Sequence, residues 1–397
     1  MSAPATLDAK GLPQAAPRRP LPPFTQELED FRVAVRRFVE TELLPRSSEW
    51  EDAHWFPNDV FARCAELGYL GLKFPEEYGG EGGGYLADAV FCEELARCGS
   101  AGLAAGIGAH ASIALPPVWK FGTEDQKQRY LVPGIRGEKI AALAITEPDA
   151  GSDVAGIKTF ARRSEGGYRV SGTKMFITNG VRAHFYVTAV KTTQEGGHQG
   201  LSFLLIDRGE GIAASAIDKM GWHASDTGLI AFDDVFVPEE NLLGEENRGF
   251  YLIMANFQWE RLLMALGSIG GMQAMFERTL GFAQERRAFG KPIASHQVIR
   301  HKLAEIATTI EVGRSLTYHA LRLFNDGIDA VREVTMAKLA TQRAAFDVAD
   351  TCLQIHGGAG YMKEYGIERA ARDARLGPIG GGTDEIMKEI LGKSLGL

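Results

Sequence analysis

Cysteine is scarce in this chain and poorly placed for chemistry. The four cysteines, Cys64, Cys92, Cys98 and Cys352, show neither metal nor redox spacing. They read as free thiols of a reducing compartment. The nine histidines form no H-E-x-x-H pair or cluster, so no metal site is expected. Positive charge is also short. A formal net charge of −8 argues against nucleic acid as a partner, because phosphate backbones need a clustered cation surplus. A local basic site for a small anion stays open. No membrane span is expected either. The run after Arg248 is nearly uncharged, but Asn256, Gln258, Glu260 and Arg261 sit at its centre and would be costly in lipid. The first residues are rich in Ala and Pro, with Arg18 and Arg19 but no apolar stretch. Residues 1–26 therefore read as a disordered tail rather than a signal peptide. No internal repeat is present.

What remains is an ordinary globular composition, 45% hydrophobic and 24% charged, over 397 residues, enough for two or three domains. Residues 27–142 carry helical spacing: Phe31, Val35, Phe38, Val39 and Leu43, then Val60 to Gly68 and Ala87 to Arg97. Thr123 with Gln126 makes a capping box. Gly106-Ile107-Gly108-Ala109-His110-Ala111 half-matches a dinucleotide fingerprint, but no strand precedes it, so a packed helix is the better reading. Residues 143–248 change to period two, with strands expected at 158–163, 168–178, 184–191, 201–207, 212–217 and 227–237. Residues 249–397 return to helix, with Gly249–Arg286, His296–Asn325, Ile328–His356 and Thr383–Lys393 long enough for a four-helix bundle. The fold class is α+β multidomain: an N-terminal helical domain, a middle antiparallel β domain and a C-terminal four-helix bundle.

Two segments stand out. Leu143 to Asp153, LAITEPDAGSD, carries the end of an apolar β run, Ile140 to Ile145, that breaks at Glu147-Pro148 into a loop holding Asp149, Gly151, Ser152 and Asp153. Such a loop presents main-chain N–H groups and short hydroxyls. Lys174 to Gly180, KMFITNG, is a strand ending on a turn dipeptide. In a regular strand Phe176 and Thr178 share one face. A planar heteroaromatic ring with polar edges suits both segments. Each alone is equally compatible with an ordinary hairpin.

The third feature is a lone acid. Between Arg248 and Glu277 only Glu260 and Arg261 are charged. The helical neighbours of Glu260 are Asn256, Phe257, Leu263 and Met264, none a cation, and Arg261 lies about 100° around the axis. Apolar surroundings raise a carboxyl pKa and poise it as a general base. An interhelical salt bridge is the competing role.

Together these segments resemble the acyl-CoA dehydrogenase family, from about Glu27 to Lys393. The resemblance implies FAD as cofactor. It makes Leu143, Ile145, Thr146, Gly151, Ser152, Phe176, Ile177 and Thr178 the contacts to the ring half. Arg286, Phe289 and Gln297 reach the ADP half, and Gln354, Ile355, Gly357 and Gly358 do so across a subunit interface. Thr383 and Glu385 complete the cofactor set. Most family members carry their base just before a Gly-Thr pair, where this chain has Gly381. A subset resembling the long-chain and isovaleryl enzymes carries it on the central helix, where Glu260 stands within Gln258-Trp259-Glu260-Arg261-Leu262-Leu263. Gly381 keeps a main-chain N–H that serves as oxyanion donor to the thioester. Glu260 would take the α-proton while the β-hydrogen leaves to the flavin, giving a trans-2-enoyl-CoA. Ser152, Tyr251, Gln258, Arg261, Gly382 and Lys393 are implied to meet the acyl-CoA. The chain departs from the family at Phe176, often Trp, at Leu143, often aromatic or larger, at Ala288, usually Thr or Ser, and at Lys393, often Arg. Asp384 and Glu385 also replace uncharged polar residues.

The same resemblance implies an electron-transferring flavoprotein as acceptor and a homo-oligomer, at least a dimer and usually a dimer of dimers. The compartment expected is the bacterial cytoplasm or, with a short transit peptide, the mitochondrial matrix. A long or branched acyl chain is expected, because Gly381 frees space beside the α and β carbons. The rivals are an acyl-CoA oxidase or flavin mono-oxygenase of the same fold, and a catalytically silent acyl-CoA-binding subunit.

Overall fold

The computed structural model describes residues 21–193 and 197–397. Residues 1–20 of the expected tail lie outside them. The rest of that tail is not loose. Phe24 is 5% exposed and meets Tyr318 edge-on at 4.9 Å, and Thr25 caps the first helix, α1 (Gln26–Phe38), by accepting from Leu28 N. One buried ring outweighs the polar composition around it. The N-terminal domain continues through Ser47–Asp52, Asp59–Glu66 and α2 (Gly84–Leu95). The Gly106–Ala111 run is helical throughout. It belongs to Ala101–Phe121, the one described helix long and apolar enough to cross a membrane, but 67% of its most apolar window is buried inside the protein. The Thr123–Gln126 capping box is formed.

The middle sheet contains β1 (Ala141–Ala144), β2 (Phe160–Ser164), β3 (Gly167–Thr178), β4 (Phe185–Lys191), β5 (Leu201–Asp207), β6 (Ile212–Ala216), β7 (Thr227–Pro238) and β8 (Leu242–Leu243), ordered β6-β7-β3-β2-β4-β5-β8. The sheet is mostly antiparallel, with two parallel contacts. β1 lies along β4 from Ala141↔Phe185 to Ala144↔Thr188, and β2 joins the same strand at Phe160↔Lys191. Two short strands thus share one edge of β4, and the segment between them, 145–159, leaves the sheet as a loop.

The four expected C-terminal helices are α3 (Gly249–Glu285), α4 (Gln297–Asn325), α5 (Val331–His356) and α7 (Asp384–Ser394). A further helix, α6 (Ile367–Ala374), was not foreseen. It binds the three domains together: Asp373, 5% exposed, accepts from Ala101 N at 3.2 Å and from Trp222 N at 2.7 Å. The basic segment after α3 is not a simple turn. Arg287–Ala288 and Lys291–Pro292 pair as a small hairpin ahead of α4. Helix α3 has no single apolar face because different stretches of it meet different partners. Leu252 and Ile253 join a core with Ala141, Ile145 and Ala150. Trp259, Leu262 and Leu263 join another with Ala89 and Val90 of α2. Glu260 therefore sits where the three domains converge.

Candidate active site

Asn256, one turn before Glu260, donates to Ile113 O at 3.2 Å and fixes α3 against the N-terminal domain. The Glu260 Oε2 atom is shielded from solvent and has no hydrogen-bond partner. Burial pushes its carboxyl up to about 7, with Arg261 and Lys338 pulling weakly the other way. Among the described residues no cation closes on it to ion-pair distance. Arg261 is 7% exposed, lies 5.6 Å from the Phe257 ring centroid, and leaves its own Nε unpartnered. A buried carboxyl near neutrality and a buried guanidinium with no ion pair among the described residues are each unfavourable alone. Their joint presence suits a site that takes up a proton and holds an anion.

Gly381 lies against Glu260. It adopts φ +60, and a Cβ there would stand 3.8 Å from Glu260 Oε1 and 2.3 Å from Met264 Sδ. Met264 is one turn beyond Glu260, so the methionine fills the place a side chain at 381 would take. Gly382 has φ +95 and faces Met387 at 2.7 Å by the same measure, so this turn accepts little but glycine. Thr383 follows, but its hydroxyl caps α7 by accepting from Ile386 N at 3.3 Å, and Glu385 is exposed.

The loop after β1 is pinned from beneath. Lys174, 0% exposed, donates to Ile145 O at 2.9 Å and to Glu147 at 2.8 Å. Glu147 also accepts from Lys158 N at 2.5 Å and Thr159 N at 2.9 Å, and Met175 N donates to Thr146 O at 2.8 Å. Thr146 is half-buried while Gly151 and Ser152 are exposed at the loop's crest. Lys174 and Glu147 were not singled out from the sequence. A lysine within a strand and a glutamate just past the end of an apolar β run were the available signal.

The shared face expected for Phe176 and Thr178 does not follow from strand alternation. Phe176 has φ +61, and the β3–β7 register shifts between Lys174 and Ile177. This bulge interrupts period two and leaves Phe176 61% exposed. Ile145, Ile177 and Ile355 have buried side chains, at 8%, 3% and 6% exposure, so they can offer a ligand only main-chain groups. Leu143 is half-buried against the core of the N-terminal and middle domains. Tyr251, Gln297, Gln354, Gly357, Gly358, Arg286 and Lys393 are at the surface, and Gln258 is half-buried. Phe289 is 95% exposed at the hairpin tip, with φ +51.

These residues fit FAD. Two aromatic rings, Phe176 and Phe289, are held outward on left-handed backbone that bulky residues rarely adopt. One follows Met175, whose N–H donates to Thr146 O of the loop after β1; the other meets the His296 ring edge-on at 5.9 Å, three residues after Arg286.

Family descriptions of the acyl-CoA dehydrogenase N-terminal, middle and C-terminal domains match residues 25–138, 142–235 and 247–396. The mitochondrial long-chain specific acyl-CoA dehydrogenase of Mus musculus is 39% identical over 376 residues, covering 94% of this chain and 87% of that protein. The mitochondrial isovaleryl-CoA dehydrogenase of Solanum tuberosum is 38% identical, covering 94% of this chain and 91% of its own. The structure of an acyl-CoA dehydrogenase from Geobacillus kaustophilus superposes with a TM-score of 0.92 at 39% identity, covering 95% of this chain and all (100%) of that one. An FAD complex of PigA superposes at 0.90 with 29% identity, over 94% of this chain and 98% of that one. The chain belongs to the acyl-CoA dehydrogenase family, oxidoreductases that use FAD.

Proposed function

We propose that this enzyme dehydrogenates a long or branched acyl-CoA to the trans-2-enoyl-CoA, with Glu260 as the base and an electron-transferring flavoprotein as the acceptor. The observation that carries the reading is the meeting of Glu260 with Gly381: an unpartnered carboxylate oxygen on one side, a side-chain-free turn on the other.

Thr146, Ser152, Phe176 and Thr178 would hold the flavin ring, and Arg286, Phe289 and Gln297 its ADP half. Gln354, Gly357 and Gly358 would reach the cofactor of a second copy. FAD, when bound, supplies the two-electron acceptor. The remaining work belongs to the chain. The Gly381 N–H donates to the thioester carbonyl and stabilises negative charge as it develops there. That charge acidifies the α-carbon, and Glu260, whose carboxyl is poised near 7, removes the proton. Arg261, Tyr251 and Lys393 are assigned to the CoA portion, where Arg261 offers a buried positive charge whose Nε has no hydrogen-bond partner. Relatives named long-chain and isovaleryl dehydrogenases support a long or branched chain. A butyryl-CoA dehydrogenase from Megasphaera elsdenii superposes equally well, at a TM-score of 0.91 and 34% identity, so the fold alone does not set chain length.

The test is anaerobic bleaching of purified yellow protein by a panel of acyl-CoA thioesters. Best turnover on butyryl-CoA rejects the long or branched reading. Rapid peroxide on admitting air moves the assignment to an oxidase. Failure to reduce an added electron-transferring flavoprotein removes that acceptor.

A further inference from the structure

Lys338 lies on α5 and is 0% exposed. Its ammonium donates to Gly377 O at 3.0 Å and to Gly382 O at 2.5 Å, at the two ends of the turn that carries Gly381. One helical turn on, the Gln342 amide donates to Met264 O at 2.7 Å and to Ser268 Oγ at 2.6 Å on the helix that carries Glu260. Gln342 also packs against the turn, where a Cβ on Gly377 would stand 2.1 Å from its Oε1. Two side chains on one face of α5 therefore fasten both halves of the site. A neutral amide would satisfy the two carbonyls, yet the chain buries a full charge there.

We propose that Lys338 is a positioning residue: it holds the 377–382 turn so that the Gly381 N–H faces the thioester carbonyl, and its charge favours the enolate-like state and the ionised form of Glu260. The inference rests on the roles given to Glu260 and Gly381 above. The charged groups around the ammonium are Asp384 on α7, Arg261 and Glu260 on α3, and Arg343 on α5 itself. Asp384 is 1% exposed and already bonded to Arg343, with its Oδ1 unpartnered. Burial lowers the Lys338 ammonium to about 8, offset in part by Asp384. The charge at this site is consequently lost within the range where the enzyme can be assayed.

The experiment compares holoenzymes of the parent, Lys338→Met, Lys338→Gln and Glu260→Gln. The first readout is the affinity for a 3-oxoacyl-CoA, which ionises to an enolate when bound, against that for an uncharged thioether analogue. The second is the pH profile of kcat/KM. We expect enolate affinity to fall at least roughly tenfold in Lys338→Met with thioether affinity unchanged. The rising limb of kcat/KM, set by Glu260, should shift upward by about one unit. The parent should show a falling limb near 8 that Lys338→Gln lacks. Equal loss of both ligands, or a pH profile unchanged in the variants, overturns the inference. If Lys338→Met yields no flavin-bound protein, Lys338→Gln, which keeps amide donors for both carbonyls, carries the same comparison. Glu260→Gln separates the two readings. Turnover surviving there sinks the base assignment, whereas a dead Glu260→Gln beside an unperturbed Lys338 variant sinks only the proposal for Lys338.

Discussion

As the proposed base, Glu260 would link activity to stability in opposite senses. Its folded-state pKa, about 7, is raised by burial above the ordinary carboxyl value of 4.5. Between those two values the native chain holds a proton that the unfolded chain releases. Stability therefore falls as pH rises through that window, and the penalty is complete above 7. The base role proposed for Glu260 needs the ionised form, so activity should rise through the upper part of the same window. Glu260→Gln should abolish flavin bleaching by substrate while leaving the protein yellow, a loss of roughly a thousandfold or more in kcat. The same variant should gain on the order of 2 kcal/mol over the parent between pH 5 and pH 8 in denaturant titrations. Undiminished bleaching would place the base elsewhere. Gly381 poses the reverse case. At φ +60 and with Met264 against its α-carbon, Gly381→Ala should lose about 1–3 kcal/mol and several degrees of Tm, with kcat falling through a displaced N–H donor.

At the scale of elements, the loop that presents Thr146 and Ser152 depends on a buried ion pair. Removing one partner leaves the other charged in an apolar sheet. Lys174→Met should cost about 3–5 kcal/mol. Adding Glu147→Leu should recover much of that cost yet leave the 145–159 segment less protected from amide exchange. If the single and double variants are equally unstable, the ion pair is not what holds the loop. The strands of the middle domain were legible in the sequence to within a few residues, since one-sided burial writes period two plainly. The β1–β4 and β2–β4 parallel contacts were not, because pairing partners leave no local trace. Phe176 was readable as an aromatic but not as the apex of a bulge, which only the register of β7 reveals. Glu260 was legible because a single acid in an uncharged helix is conspicuous. Lys338 was not singled out, although it falls in a buried stripe with Val334, Ala337, Thr341, Gln342 and Ala345, where a lysine is out of place.

For the whole molecule, the proposed cofactor site would be divided between copies. Phe176 and Thr146 would meet one end of the ligand, and Gln354, Gly357 and Gly358 would come from a second chain. Flavin retention should then depend on protein concentration. Sedimentation monitored by flavin absorbance should show free FAD appearing together with a smaller species on dilution. Loss of flavin from an intact oligomer, or a yellow monomer, would count against sharing. Phe289→Ala should weaken FAD binding by roughly tenfold with little change in protomer stability, because a ring 95% exposed contributes almost nothing to the core.

The bare ring at the hairpin tip also bears on biogenesis. Synthesised ahead of its vitamin supply, the polypeptide carries an adhesive projection with nothing to cover it. Riboflavin-starved cells should accumulate it as insoluble material, and replacing Phe289 with serine should return much of it to solution.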